Sequence, residues 1–582
     1  MQPQTDYTRL FITMFIAAVI LLTWQAMVEH PRRQQLAELH TKQLEEKAII
    51  KAKEEKELAM QDPDSGGKIL TRDERLALSP RVTFKTEKLH GSIALKGARI
   101  DDLTMPKYRV ELPETSPAVT LFSPNGDKLA YFAQFGWVSA DGKSQVPDQN
   151  SLWNADKNSF TAGEAVTLRW TNNANVTFIL TISLDEHYMF QINQRVENMS
   201  GTTVSVTPYA YINRQHEEDP NIQHYAILHE GPLGVMQNAL EEISYEDLRK
   251  EKKIFSDASG WMGITDKYWL SALVPDEKGY TATFTHYTKG SHNRYQVDYV
   301  SKAKQIQSGG HVESSVRLFA GAKEIRVIDA YANGDVKHPP ITLFDRAVDF
   351  GVLYFLTKPM FLMLNFFYTH IGNFGVAILL LTIVVKLLMY PLANKSYKAS
   401  TQMRRLQPEM QKLRDRYGDD QIRMQQELMA LYKREKVNPA AGCLPLLIQM
   451  PVFFALYKVL FVTIEMRHAP FFGWLKDLSA IDPSNLFTLF GLLDWNHPSW
   501  MHLGILPILM CATMVIQMKQ QPKPTDPIQA KIITFMPYFF LFIFASFPAG
   551  LVLYWVWSNI LSIIQQHIIS RKHGGKPVKA KA

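Results

Sequence analysis

"GNFGVAILLLTIVVKLLMYPL", residues 372–392, is twenty-one residues long and carries one charged side chain, Lys386. About twenty apolar residues in a helix cross the hydrocarbon of a bilayer, so the stretch reads as a membrane span. A lysine near its middle costs about 2.5–3.5 kcal/mol on insertion scales and therefore points into protein or water. Lys386 lies nine residues before Lys395, roughly 13 Å along a helix and too far for its stem to reach the interface easily. Thr382 and Tyr390 stand at i−4 and i+4 and share its helix face,. The expectation is a polar stripe within an apolar helix.

Five further runs are long enough, or nearly so, to span: 10–28, 443–464, 501–518, 532–548 and 550–569,. Several carry polar or amphipathic side chains of their own: Gln449, Thr513 and Gln517, and, in the last, Tyr554, Trp555, Ser558, Asn559 and Ser562. A single polar group in a span is explained by a hydrogen bond between helices. A set converging with a lysine reads instead as a hydrated groove.

The 582 residues exceed one ordinary domain several times over, so modules are expected,. The overall 46% hydrophobic and 20% charged residues conceal an uneven distribution, apolar at the extreme N-terminus and over the last 240 positions, polar between. Residues 1–30 read as an uncleaved signal anchor, because Ala26-Met27-Val28-Glu29-His30 is a poor cleavage site,. Residues 31–80 form a charged linker rich in Ala, Glu, Lys and Gln,. From 81 to 340 the pattern alternates with period two. "AVTLRWTNNANVTFILTISL" (165–184) and "FQINQRVENMSGTTVSVTPYAY" (190–211) each predict an antiparallel hairpin, and the region as a whole predicts one large β-sandwich,. Residues 341–371 follow, with Phe344, Val348, Val352 and Phe355 spaced as one face of an interfacial helix,.

Orientation follows from basic residues. Eleven Lys and Arg lie between 393 and 441, more follow at 519–531 and in the tail 571–582, but residues 465–500 hold only Arg467 and Lys476. The first three regions are then cytoplasmic and the last is outside, which puts both termini in the cytoplasm and the β domain outside it. Within 393–441, a break at Gly418, an acidic cap at Asp419 or Asp420 and the stop at Pro439 predict a helical hairpin,. Its basic surface, including Arg404 and Arg405, suits RNA or anionic lipid, although topology alone demands cations there. Spans three to six occupy 442–570.

Chemical motifs are lacking. "GWVSADGKS" (136–144) has five residues between its glycines, one more than a phosphate loop, and sits among strands; no HExxH, GxSxG or paired CxxC occurs,. Cys443 and Cys511 both fall in apolar segments, leaving the β region without a disulfide,. The reading is a non-catalytic protein with no cofactor, no metal and no DNA partner.

"LQPEMQKLRDRYGDD" (406–420), "MALYKREKVNPAAGCLPLLIQMPVFFALY" (429–457) and "FPAGLVLYWVWSNILSIIQQHII" (547–569), with the opening stretch, resemble the YidC/Oxa/Alb family of insertases in its Gram-negative form. The resemblance covers roughly 340–570 closely and the remainder more loosely. It implies a six-span inner-membrane protein with a five-helix core, a periplasmic β-sandwich and a cytoplasmic hairpin in which Arg404, Arg405, Asp419, Asp420 and Glu435 are candidate residues. It further implies a hydrophilic groove, open to cytoplasm and lipid, that serves nascent membrane proteins. Implied partners are the ribosome and signal recognition components, the Sec translocon and lipids. The family groove carries an arginine where this chain has Lys386. A small-solute transporter and a membrane-tethered periplasmic binding or assembly module are the competing functions.

Overall fold

The computed structural model describes residues 70–573 apart from 141, 218–227, 291, 335–338, 418–419, 436, 438–443, 492, 494–501 and 522–526. The expected N-terminal anchor, most of the linker, Asp419, Cys443 and residues 574–582 lie outside the described residues.

Alternation between Arg81 and Ala322 produces two large sheets. The eleven-stranded sheet runs Lys253–Ala258, Tyr280–Lys289, His292–Val300, Val204–Gln215, Tyr131–Ser139, Arg99–Arg109, His90–Ala94, Arg81–Lys85 and Ser159–Phe160, with Lys304–Ile306 and Ala118–Phe122 joined at its side. The nine-stranded sheet runs Ala239–Glu242, Gly231–Met236, Gly260–Thr265, Trp269–Pro275, His311–Ala322, Met189–Asn198, Val176–Leu184, Ala165–Thr171 and Asn154–Ala155. Inward faces of both sheets form one core. Trp137 of the larger sheet meets Phe178 of the smaller edge to face at 5.2 Å. Fully burying a side chain of this kind contributes about 1.5–3 kcal/mol or more.

The two expected hairpins fare differently. Residues 165–184 pair as read, Thr171 opposite Thr177, around a turn in which the Asn172 carboxamide accepts from the Ala174 and Val176 amides and Asn175 takes the left-handed conformation,. The second is corrected. Met189–Asn198 and Val204–Gln215 lie in different sheets, so residues 199–203 cross the sandwich instead of turning back within one sheet. Buried Asn198 holds that corner, donating to the Thr202 and Ile306 carbonyls at 2.7 and 2.8 Å. Both strands bury one face, a pattern that hairpin partners and strands of opposed sheets share.

The helices are α1 Arg72–Leu76, α2 Tyr245–Lys250, α3 Ile325–Asn333, α4 Tyr354–Ile371, α5 Phe374–Leu388, α6 Tyr390–Tyr417, α7 Gln421–Arg434, α8 Leu444–Val462, α9 Ile505–Lys519, α10 Pro527–Phe544 and α11 Ala549–His573. The helical face expected over 344–355 forms only in part. Phe344 and Val348 are buried in the β core, Phe344 against Trp261, and a short 3-10 turn ends at Ala347 before α4 begins at Tyr354. Gly351 at φ +67° separates the two elements, and Val352 and Phe355 remain exposed. Among the described residues no single helix is long and apolar enough to cross a membrane, although α5 and α6, bent by 68°, pass that test together. Pro391 explains the bend: it donates no amide hydrogen and its ring clashes with the carbonyl four residues back,.

Candidate functional site: a lysine among three helices

α11 packs against α5, α6, α8 and α9, so polar groups on its inner face meet those of its neighbours. Lys386 comes from the last turn of α5 and donates to Ser562 Oγ of α11 at 2.9 Å and to Gln449 Oε1 of α8 at 3.3 Å. Gln449 in turn donates to the Tyr554 hydroxyl. The Tyr397 hydroxyl on α6 lies close enough to interact with Ser562. A cation is thus held by neutral oxygens from two helices and linked to a fourth element, with no carboxylate bonded to it among the described residues.

Other candidate residues are distributed around this junction. Asn559 donates to Thr513 Oγ1 at 3.2 Å, tying α11 to α9, and Ser558 is buried beside it. Gln517 is half-buried one turn beyond Thr513 on α9. Thr382 is buried and returns its hydroxyl to the Ile378 carbonyl at 2.6 Å, so it serves its own helix,. Tyr390 falls beyond the bend and is 46% exposed. The i, i+4, i+8 stripe is therefore broken after Lys386. Trp555 lies in an aromatic cluster, 4.7 Å from Phe453 and 4.9 Å from Phe544. Tyr397 and Gln566, whose amide donates to the Gln520 carbonyl at 2.9 Å, were legible only as polar residues near a helix end.

Beyond the bend, α6 and α7 pack through Leu406, Met410, Leu428, Leu431 and Val437. Asp420 accepts from the Arg423 amide at 3.0 Å and caps α7,. Glu435 closes its other end and bonds Arg434 Nε at 3.1 Å, while Arg434 pairs with Glu409 of α6 at 2.9 Å. Arg404 donates to the Gln520 carbonyl at 3.2 Å, joining the pair to the end of α9; Arg405 is half-buried on α6.

At the opposite ends of the helices, residues 469–486 form a seal. The Ala549 and Gly550 amides donate to Ala480 and Leu478 carbonyls at 2.7 and 2.9 Å, and Asp482 accepts from the Leu506 amide at 2.9 Å. These contacts satisfy helix N-termini that lack intrahelical partners. The β domain docks on this side. Asp349 pairs with Lys458 at 2.8 Å, Glu465 accepts from the Ile325 amide at 2.9 Å, and Lys267 sits 3.6 Å above the Phe461 ring.

Two family models divide the chain: the YidC periplasmic domain matches residues 81–363, and the 60Kd inner membrane protein matches 366–576. The membrane protein insertase YidC of Rickettsia bellii (strain OSU 85-389) is 45% identical over 571 residues, 96% of this chain and 99% of its own. The chain belongs to the YidC membrane protein insertase family. The YidC of Methylobacterium nodulans is 47% identical over 520 residues, 87% of this chain and 85% of the relative. A crystal structure described as an active YidC insertase with its first transmembrane domain resolved aligns over 84% of this chain and 92% of its own, at 17% identity and a TM-score of 0.34. The join between the two YidC models falls near the middle of α4.

Proposed function

We propose that this protein inserts nascent membrane proteins by giving their polar segments a hydrated path along Lys386 while their apolar segments pass into lipid. The observation that carries the reading is Lys386 itself, a cation held among apolar helices by Gln449 and Ser562 rather than by a carboxylate. One of its three N–H donors has no bond among the described residues,. A carboxylate or carbonyl of a client segment is the complementary group.

In this reading α5 and α8 to α11 form the membrane body, with α10 turning Ile532, Phe535, Phe539 and Phe542, each 62–70% exposed, to lipid. α6 and α7 project into the cytoplasm and receive clients there, with the ribosome and signal recognition components as upstream partners and the Sec translocon as an alternative route. The seal at 469–486 supports closure towards the periplasm, and α5 and α9, each 15 residues and about 22 Å, support a shortened apolar barrier,. No covalent step is involved. Burial of the new span supplies about 25 cal/mol per Å² of apolar surface, and the membrane potential about 2.3 kcal/mol per negative charge moved outward per 100 mV.

Water access tests the groove. In a chain lacking Cys443 and Cys511, cysteines placed at Gln449 or Ser562 should react with a polar thiol reagent applied from the cytoplasm, and one at Phe535 should not. Equal protection at all three would make the polar set interhelical glue.

A further inference from the structure

A recess of about 380 Å³ lies where the β domain meets the loop after α8. Lys107, Arg109, Leu112 and Glu114 line it from the β domain, Arg467 and His468 from the loop. Arg467 bridges the two parts, donating to the Val110 carbonyl at 3.0 Å with its guanidinium 5.9 and 5.7 Å above the Tyr268 and Trp269 rings. Arg109 donates to the Ser116 carbonyl at 3.3 Å. Neither guanidinium has a carboxylate within ion-pair distance among the described residues. Lys107 does, pairing with Glu87 at 2.5 Å, but both side chains are exposed and such a pair is weak in water,.

Two features fix the chemistry of the occupant. Each guanidinium presents a planar fork of donors that fits phosphate oxygens two at a time. Beside them, Val110 and Leu112 are 52% and 48% exposed, an apolar tip next to the cations. Arg467 follows the end of α8 by five residues, at most about 17 Å of chain,. If α8 crosses the membrane, this mixture of cation and apolar tip stands at headgroup level.

We propose that the recess binds the phosphate of an anionic phospholipid in the leaflet facing the β domain, with Arg109 and Arg467 on the phosphate and Leu112 at the acyl boundary. Glu114 at the rim favours a headgroup with hydroxyls to donate. The inference rests on the membrane placement of α8 and is independent of the Lys386 groove.

The test uses the full chain, lacking Cys443 and Cys511, with Leu112→Cys carrying an environment-sensitive fluorophore. In detergent, short-chain phosphatidylglycerol should shift the emission to the blue, with phosphatidylcholine and inorganic phosphate at equal concentration much less effective. Arg109→Gln, a surface change, should weaken the phosphatidylglycerol response about fivefold, and Arg109→Lys less, as expected for one cation near a lipid surface. Arg467→Gln should weaken it at least as much. Equal responses to the two lipids, or an unchanged response in Arg109→Gln, would overturn the site. Saturation by inorganic phosphate alone would overturn the lipid and leave a free-anion site. Because the titration is done in micelles, it succeeds or fails separately from the placement of α8 in a bilayer.

Discussion

Lys386 and Glu465 are opposite solutions to burying a charge. Lys386 spends two donors on Gln449 and Ser562, and its charge is met by dipoles. Glu465, in the loop after α8, faces the β domain, with Oε1 on the Ile325 amide and Oε2 buried without a hydrogen-bond partner among the described residues. Burial is the main cause that lifts its carboxyl to about 7; neighbouring Glu324 adds to the rise, while the Ile325 amide and Arg326 oppose it. A carboxyl raised in the folded state binds its proton more tightly there than when unfolded. Its stabilisation is full below about 4.5 and is lost as pH rises through about 7,. That interval corresponds to roughly 3 kcal/mol. Hydrogen exchange across α3, corrected for intrinsic rate, should therefore accelerate between pH 5 and pH 8, and Glu465→Gln should remove most of that dependence. An equal pH dependence in both proteins would mean that the Glu465 carboxyl does not titrate in this range.

At the scale of elements, the α6–α7 pair has its own small core and a polar, charged exterior, and packs as a separate unit on the end of the bent helix. Its contact with the body includes Arg404 on the Gln520 carbonyl and Tyr397 beside Ser562, next to Lys386. Removing 395–437 with a short linker in its place should abolish insertion while α5 and α8 to α11 stay assembled, as judged by detergent-resistant monodispersity. Normal insertion by that variant would take the pair out of the mechanism. The 68° bend was legible in the sequence as Pro391, but Tyr390 was read through it as though one helix continued. Periodicity identifies a face only while the helix is unbroken.

Over the whole molecule, strong local periodicity was legible and pairing across distance was not. Alternation marked the β region and one hairpin, 165–184, because an Asx turn is local chemistry. It misplaced 204–215, because nothing in five connecting residues distinguishes a turn within a sheet from a crossing between sheets. Lys386, Gln449 and Ser562 stood out as polar residues in apolar runs expected to converge, but which of them bond one another depends on how α5, α8 and α11 pack. The seal at 469–486 and the junction of Asp349 with Lys458 left no periodic signal at all. That junction makes the β domain a docked body beside the C-terminal helices. Deleting 81–320 while retaining α3 should leave insertion largely intact in a cell-free assay with reconstituted vesicles; loss of all insertion would favour a membrane-tethered periplasmic module instead.

The central claim is that a positive charge at 386 admits polar client segments. At an effective dielectric of about 20, a unit charge some 6 Å away contributes roughly 3 kcal/mol of attraction, so the effect must grow with the acidic charge of the segment. The decisive measurement is insertion of paired clients that differ only in acidic residues within the translocated segment, compared in the unmodified protein, Lys386→Arg and Lys386→Met. Lys386→Arg should match the unmodified protein for both clients, and Lys386→Met should insert the acidic client markedly less while changing the neutral one little. Equal insertion of both clients by Lys386→Met would show that the charge is incidental and would contradict the groove.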